Sequence, residues 1–183
     1  MNREQMAHVL RAACGIVNDP NILVIGSQSL LASHDEEELP DAATASMEVD
    51  LAYFDDPDDS KADMIDGAIG ELSLFHESFG FYAQGVSVRT AVLPNGWRDR
   101  VVRWSTNETG QSRAVFLEPH DCVVSKLVAH RAKDKAFAEA LLHARLIDST
   151  TLRRRIDELP DDLDPRIPAR LHAWLDAQQA LES

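Results

Sequence analysis

Between Arg3 and Val17 the apolar residues Met6, Val9, Leu10, Ala13 and Ile16 recur at three- and four-residue intervals, the spacing that lines one face of an α-helix. Asn18-Asp19-Pro20 ends that pattern as a turn. The period then changes. Ile22 to Ile25 is a short apolar run rich in β-branched residues and predicts a buried strand, after which Ser29 to Ser33 predicts a turn or two of helix. An acidic loop, Asp35 to Glu38, closes at Pro40, and Met47 to Phe54 predicts a second strand that runs into the acidic segment DDPDDS. Residues 62–79 carry Met64, Ile65, Ala68, Ile69, Leu72 and Phe75 at helical spacing and predict one helix.

Three further strands are predicted at Tyr82 to Leu93, Val101 to Ser105 and Ala114 to Leu117, with Pro94-Asn95-Gly96 and Asn107 to Gly110 as hairpin-like connections. From Asp121 onward the pattern is helical: 121–145, about 149–158, and 166–181 behind the turn Pro160 to Pro165. This order predicts an α+β protein, a small mixed sheet backed by helices. It divides into a core over residues 1–120 and a helical C-terminal part, 121–183, packed on that core.

Composition narrows the class. No apolar run approaches the ~20 residues of a membrane helix, and MNREQMAHVL reads as an amphipathic helix rather than a signal peptide, so a cytoplasmic protein is expected. Cys14 and Cys122 both sit in apolar stretches without metal-ligand spacing, which predicts two free thiols. A net charge of −13 argues against nucleic acid as a partner, but the charge is uneven. Residues 1–80 hold 3 Lys/Arg against 17 Asp/Glu, whereas residues 81–155 hold 13 against 7. An acidic first half can gather metal ions and a basic middle can gather phosphates, although most of these charges are expected to be solvated surface.

Two segments carry candidate chemistry. In the strand MEVDLAY, Glu48 and Asp50 are two positions apart, so both carboxylates share one face while Val49 and Leu51 take the other. Such a pair repels itself unless a cation lies between, and its oxygen donors suit Mg²⁺, which draws further ligands from water and substrate phosphate. The plain alternative is an edge strand with its acidic face in water. Gly26-Ser27, which closes the first strand, offers close backbone approach, free N–H groups and a hydroxyl to a phosphate. In the later helix, Lys126, His130, Lys133 and Asp134 follow i, i+4, i+7, i+8 spacing and share a face, with Arg131 more than a quarter turn away. Asp134 would orient Lys126 or act as a base; the alternative is a solvated helix whose charges pair only with each other.

Gly-Ser followed by a strand bearing Glu48-x-Asp50 resembles the first motif of the nucleotidyltransferase superfamily. The segment from Asp121 through Lys126, Leu127, Ala129, Arg131, Lys133 and Asp134 is similar to a region of the AbiEii/MenT-type nucleotidyltransferases and of the related DUF6036 domains. The match covers residues 22–54 and 118–148, with the two motifs in the right order. The resemblance implies Mg²⁺-dependent transfer of a nucleoside monophosphate from an NTP to an acceptor hydroxyl. Glu48 and Asp50 would hold one or two Mg²⁺ ions, with Asp50, Lys126 and Asp134 as catalytic residues and Gly26, Ser27, Lys126 and Arg131 binding the nucleotide. Many superfamily members add a third carboxylate on a later strand. Here Glu118, Asp99 or no residue would fill that position.

The toxin-type relatives further imply a toxin of a toxin-antitoxin pair acting on the 3′ end of tRNA, with tRNA or a cognate antitoxin as partner. Arg98, Arg100, Arg103 and Arg153 to Arg155 are compatible with an RNA backbone. The alternatives are a protein-modifying, antitoxin-type nucleotidyltransferase and a non-catalytic nucleotide- or partner-binding module. His34, His76 and His120 occur singly and read as surface or internally bonded histidines, and Trp97, Trp104 and Trp174 as packing residues.

Overall fold

A computed structural model of the chain describes residues 1–181. Helix α1 (Arg3–Val17) begins with a capping box, in which the Asn2 side chain accepts from the Gln5 N–H at 2.8 Å and the Gln5 side chain accepts from the Asn2 N–H at 2.9 Å. Of the stripe that the spacing predicts, Met6, Val9, Leu10 and Ala13 are buried, Ala7 joins them, and Ile16 near the end of the helix is half-buried. Strand β1 (Ile22–Ile25) is buried at all four positions because it lies in the middle of the sheet.

Around β1 the sheet runs β3-β2-β1-β5-β4. On one side β2 (Glu48–Tyr53) is antiparallel to β1, and β3 (Tyr82–Gly85) is parallel to β2. On the other side β5 (Val115–Phe116) is parallel to β1, and β4 (Val102–Arg103) returns antiparallel to β5. The mixed sheet of an α+β protein is therefore present. β2 is an interior strand, so Glu48 and Asp50 are not the wet face of an edge.

Several elements differ from the periodic reading, each for a local reason. The helix expected over 62–79 is two, α3 (Ser60–Ile69) and α4 (Leu74–Phe79), parted where Gly70 is extended and Leu72 adopts a left-handed backbone at φ 63°. The strand expected over 82–93 stops at Gly85. There the backbone packs directly on α3, a Cβ would lie 2.0 Å from the Ala62 carbonyl oxygen, and the N–H goes to Asp66 Oδ1 at 2.7 Å. Beyond it Val88–Thr90 is a short 3-10 turn. Pro94-Asn95-Gly96 is not a hairpin, because β3 and β4 lie at opposite edges of the sheet; it leads into the one-turn helix α5 (Trp97–Arg100). Ser27–Ala32 is a six-residue 3-10 helix, and Asp41–Thr44 forms a short helix, α2, between the acidic loop and the second strand, where the apolar period predicts no element.

The C-terminal helices are α6 (Pro119–Ala129), α7 (Ala132–His143), α8 (Ser149–Asp157) and α9 (Arg166–Leu181). The helix expected over 121–145 is thus broken at His130, left-handed at φ 60°, and Arg131, extended. A single apolar cluster joins α1, the sheet and these helices, from Met6 through Phe116 and Leu127 to Leu175.

Asp121, fully buried in the first turn of α6, is the polar tie between these layers. Arg100 grips it with two hydrogen bonds, Nε to Oδ2 at 2.8 Å and Nη2 to Oδ1 at 2.9 Å, and Arg155 of α8 approaches Oδ1 at 3.2 Å. Two of the arginines that were candidates for an RNA backbone are therefore internal. Arg153 pairs with Asp176 of α9, while Arg98, Arg103 and Arg154 stay exposed.

Arg100 donates both side-chain hydrogen bonds that the buried Asp121 accepts, so its removal leaves Arg155, at 3.2 Å, as the one remaining cation beside that carboxylate among the described residues. Arg100→Ala should lower unfolding free energy by about 3 kcal/mol in urea denaturation, against less than about 0.5 kcal/mol for Arg98→Ala on the surface. Equal losses for the two variants would contradict the tie.

Candidate active site

A cleft of ≈530 Å³ opens at the end of β1 and β2, walled by α6, α7 and the 86–91 segment. Its lining includes Gly26, Ser27, Glu48, Asp50, Lys126, Arg131 and Asp134, so all seven residues expected to act in catalysis or to bind metal or nucleotide meet there, whereas Asp121 and Leu127 of the second motif do not line it. Lys133 joins them and His130 does not.

The acidic wall is built by strand periodicity. Along β2, Val49 and Leu51 are buried while Glu48 and Asp50 are half-buried and point into the cleft. Ile25 pairs with Asp50 across the β1–β2 ladder, which brings the next residue, Gly26, under the Asp50 carboxylate. A Cβ at Gly26 would lie 2.1 Å from Asp50 Oδ2, and its backbone (φ 71°, ψ −166°) belongs to a region that only glycine adopts readily. Glycine is required there by contact and by conformation. Its carbonyl accepts from Ser29 Oγ at 2.8 Å and from the buried Cys122 thiol at 3.1 Å, which fixes the turn, while Ser27 Oγ has no partner among the described residues.

Burial and the adjacent Glu48 carboxylate push the pKa of Asp50 up to about 7, against the pull of Lys126 and Arg131 across the cleft. Tyr82, opposite Glu48 on β3, donates its hydroxyl to Glu48 Oε2 at 3.2 Å. That hydroxyl is itself pushed up to about 12 by burial and by Glu48, so it stays a donor.

The basic wall depends on the helix break. On a straight helix Lys126 and Asp134 would be about 12 Å apart along the axis. The turn at His130–Arg131 folds α7 back, so that Lys126 Nζ lies 3.8 Å from Asp134 Oδ1 and 5.1 Å above the Phe137 ring. Arg131, off the common face on a continuous helix, is brought into the cleft. It donates to both oxygens of the buried Asp134, Nε to Oδ2 at 2.6 Å and Nη2 to Oδ1 at 3.2 Å. Both Asp134 oxygens are engaged by cations, an arrangement that orients Lys126 and Arg131.

Neither carboxylate nominated for a third position lines the cleft. Glu118 caps α6, accepting from the His120 and Asp121 N–H groups, and contacts the His120 ring at 2.6 Å; Asp99 lies on α5 beside another groove. The residue opposite Asp50 on β3 is Gln84, a neutral amide that lines the cleft. Among the described residues no group of three His, Cys, Asp or Glu side chains is arranged to hold a metal ion. Gln84 and Tyr82 escaped the sequence reading because their relation to Glu48 and Asp50 follows from the β2–β3 register, not from local spacing.

The lone histidines read correctly for His76 and His120, which make internal hydrogen bonds, whereas His34 keeps a buried Nε2 without a partner. Cys14 and Cys122 are free thiols. No helix among the described residues is long and apolar enough to cross a membrane.

A family model described as a nucleotidyltransferase of unknown function (DUF6036) matches residues 5–174. No curated protein and no solved structure matches the chain.

The raised Asp50 pKa has a consequence for stability. A carboxyl whose folded pKa lies above its unfolded value contributes stability that is fully present below about pH 4 and is lost as pH rises through about 7. Asp50→Asn, neutral throughout, removes that window. In metal-free buffer the variant should match wild type near pH 4 and exceed it at pH 8 by roughly 2–4 kcal/mol in urea denaturation. Parallel stability curves for the two proteins would contradict the assignment.

Proposed function

The chain belongs to the DUF6036 nucleotidyltransferase family, and on that premise we propose that its cleft transfers a nucleoside monophosphate from an NTP to an acceptor hydroxyl with Mg²⁺ bound at Glu48 and Asp50. The observation that carries this reading is the polarity of the cleft: paired carboxylates and a Gly-Ser turn on one wall, Lys126, Arg131 and Lys133 on the other. The donor set fits the ion. Two carboxylates on one strand face, of which Asp50 has its proton affinity raised by burial and by Glu48, would be relieved by a divalent cation, and the neutral Gln84 beside Asp50 adds no third charge. When bound, Mg²⁺ would neutralise triphosphate charge and make the acceptor hydroxyl easier to deprotonate.

The rest falls to the chain itself. The Gly26–Ser27 backbone and the unpartnered Ser27 hydroxyl bind the outer phosphates. The acceptor oxygen attacks the α-phosphorus, the bond to the bridging oxygen breaks, and pyrophosphate leaves; the hydroxyl proton passes to the Asp50 carboxylate. Lys126 and Arg131, held by Asp134, stabilise the charge that accumulates on the departing pyrophosphate.

For the acceptor, the first reading is the tRNA 3′ hydroxyl implied by the toxin-type resemblance, with Arg98, Arg103 and Arg154 exposed toward an RNA backbone. A second reading is a tyrosine or serine hydroxyl on a partner protein, the acceptor of a protein-modifying, antitoxin-type nucleotidyltransferase. It is favoured by the engagement of Arg100 and Arg155 with Asp121 and by the net charge of −13.

Each labelled NTP, incubated with total tRNA or with soluble cell protein, with and without Mg²⁺, tests this function. Label should enter one acceptor class only with Mg²⁺, and Asp50→Asn should abolish it. Lys126→Ala should lower turnover at least 100-fold while weakening NTP binding, read by calorimetry, by less than 10-fold, because the lysine acts on charge that develops in transfer. NTP binding lost by Lys126→Ala, with no transfer in wild type, would instead mark a nucleotide-binding module.

A further inference from the structure

The α3–α4 connection contains a feature that packing does not explain. Leu72 holds a left-handed backbone at φ 63°, a conformation that costs a non-glycine residue on the order of 1 kcal/mol, and the residue is 83% exposed. Nothing is gained from the leucine's burial. The turn does achieve one thing: the Leu72 N–H donates to His76 Nδ1 at 3.1 Å, while the His76 N–H donates to Ser73 Oγ. The imidazole is thereby fixed in one tautomer and one orientation. Its ring lies against Tyr82 with centroids 4.6 Å apart, and Tyr82 in turn donates to Glu48 Oε2.

We propose that Tyr82, braced by His76, is a positioning residue for Glu48, holding one carboxylate oxygen so that the other is presented to the cation. The inference rests on the metal reading of the cleft. Glu48 needs such a support more than Asp50 does. Asp50 is confined by Gly26 beneath it, whereas Glu48 has an extra methylene and lies at the first position of β2, and among the described residues its carboxylate is hydrogen-bonded only by the Tyr82 hydroxyl and the neighbouring Asp50. An unsupported glutamate would sample several rotamers at the cleft mouth, and each ion bound would have to order it. Tyr82 stands directly across the β2–β3 register from Glu48, so its hydroxyl reaches the carboxylate without any displacement of backbone. Partners that orient a metal-binding side chain in this way govern affinity as well as geometry.

The test is Mn²⁺ binding followed by the electron paramagnetic resonance signal of the free ion, with and without a non-hydrolysable NTP. Tyr82→Phe keeps the ring and removes only the hydroxyl. It should raise the Mn²⁺ Kd about 10–100-fold, with the melting temperature of the metal-free protein within a few degrees of wild type. His76→Ala should give a smaller rise in the same direction. In a Glu48→Gln background, titrated at higher Mn²⁺, Tyr82→Phe should add no further loss, since the hydroxyl acts through the carboxylate that is gone. Wild-type affinity in Tyr82→Phe, or an undiminished effect in the Glu48→Gln background, would overturn the positioning role and leave the metal reading standing. A wild-type protein that binds no Mn²⁺ even with the nucleotide would overturn both.

Discussion

Two carboxylates on one face of an interior strand set the problem that the rest of the molecule answers. Glu48 and Asp50 cannot turn away from each other, because the period of β2 places both on the cleft side while Val49 and Leu51 are committed to the core. Nor can the strand move to the wet edge of the sheet, since β1 and β3 pair with it on both sides. Their repulsion is visible in Asp50, whose proton affinity is raised by burial and by Glu48. A fold that keeps such a pair maintains an unfavourable arrangement in the absence of a counter-charge, and the surrounding residues are consistent with one being supplied by a bound cation.

The opposing wall is assembled by a break, not by a continuous face. His130 in a left-handed conformation ends α6, and Arg131 begins α7, which turns Asp134 back beneath Lys126. The buried Asp134 then holds two cations, Arg131 and Lys126. Behind this wall, Asp121 binds Arg100 and Arg155, so the same helix that presents Lys126 is anchored at its first turn to α5 and α8. Anchoring at one end and the turn at the other fix the lysine relative to the carboxylates.

The readable part of the site was the part determined by local period. Glu48 and Asp50 share a face in any strand, and the Gly26–Ser27 turn followed directly from an apolar run meeting a glycine. What depends on long-range pairing was not readable. The break at His130 carries no glycine or proline to announce it, so 121–145 looks like one helix and Arg131 looks misplaced. The third-carboxylate question could be answered only with the β2–β3 register, which sets Gln84 beside Asp50. Arginine side chains were equally ambiguous: Arg98 and Arg100 are alike in sequence, yet one lies on the surface and the other holds a buried aspartate. The apolar stretch 82–93 has the period of a longer strand than the one that forms, because periodicity does not register the close contact of Gly85 with α3.

On the proposed function, Glu48 and Asp50 bind a divalent cation that also meets the nucleotide's phosphates. The most direct test is an anomalous difference map from crystals grown with Mn²⁺ and a non-hydrolysable NTP. The account predicts a peak about 2.1 Å from one oxygen of each carboxylate, with the outer phosphates on the Gly26–Ser27 turn. A nucleotide bound with its phosphates elsewhere, or a cation that leaves Glu48 and Asp50 without contact, would contradict it.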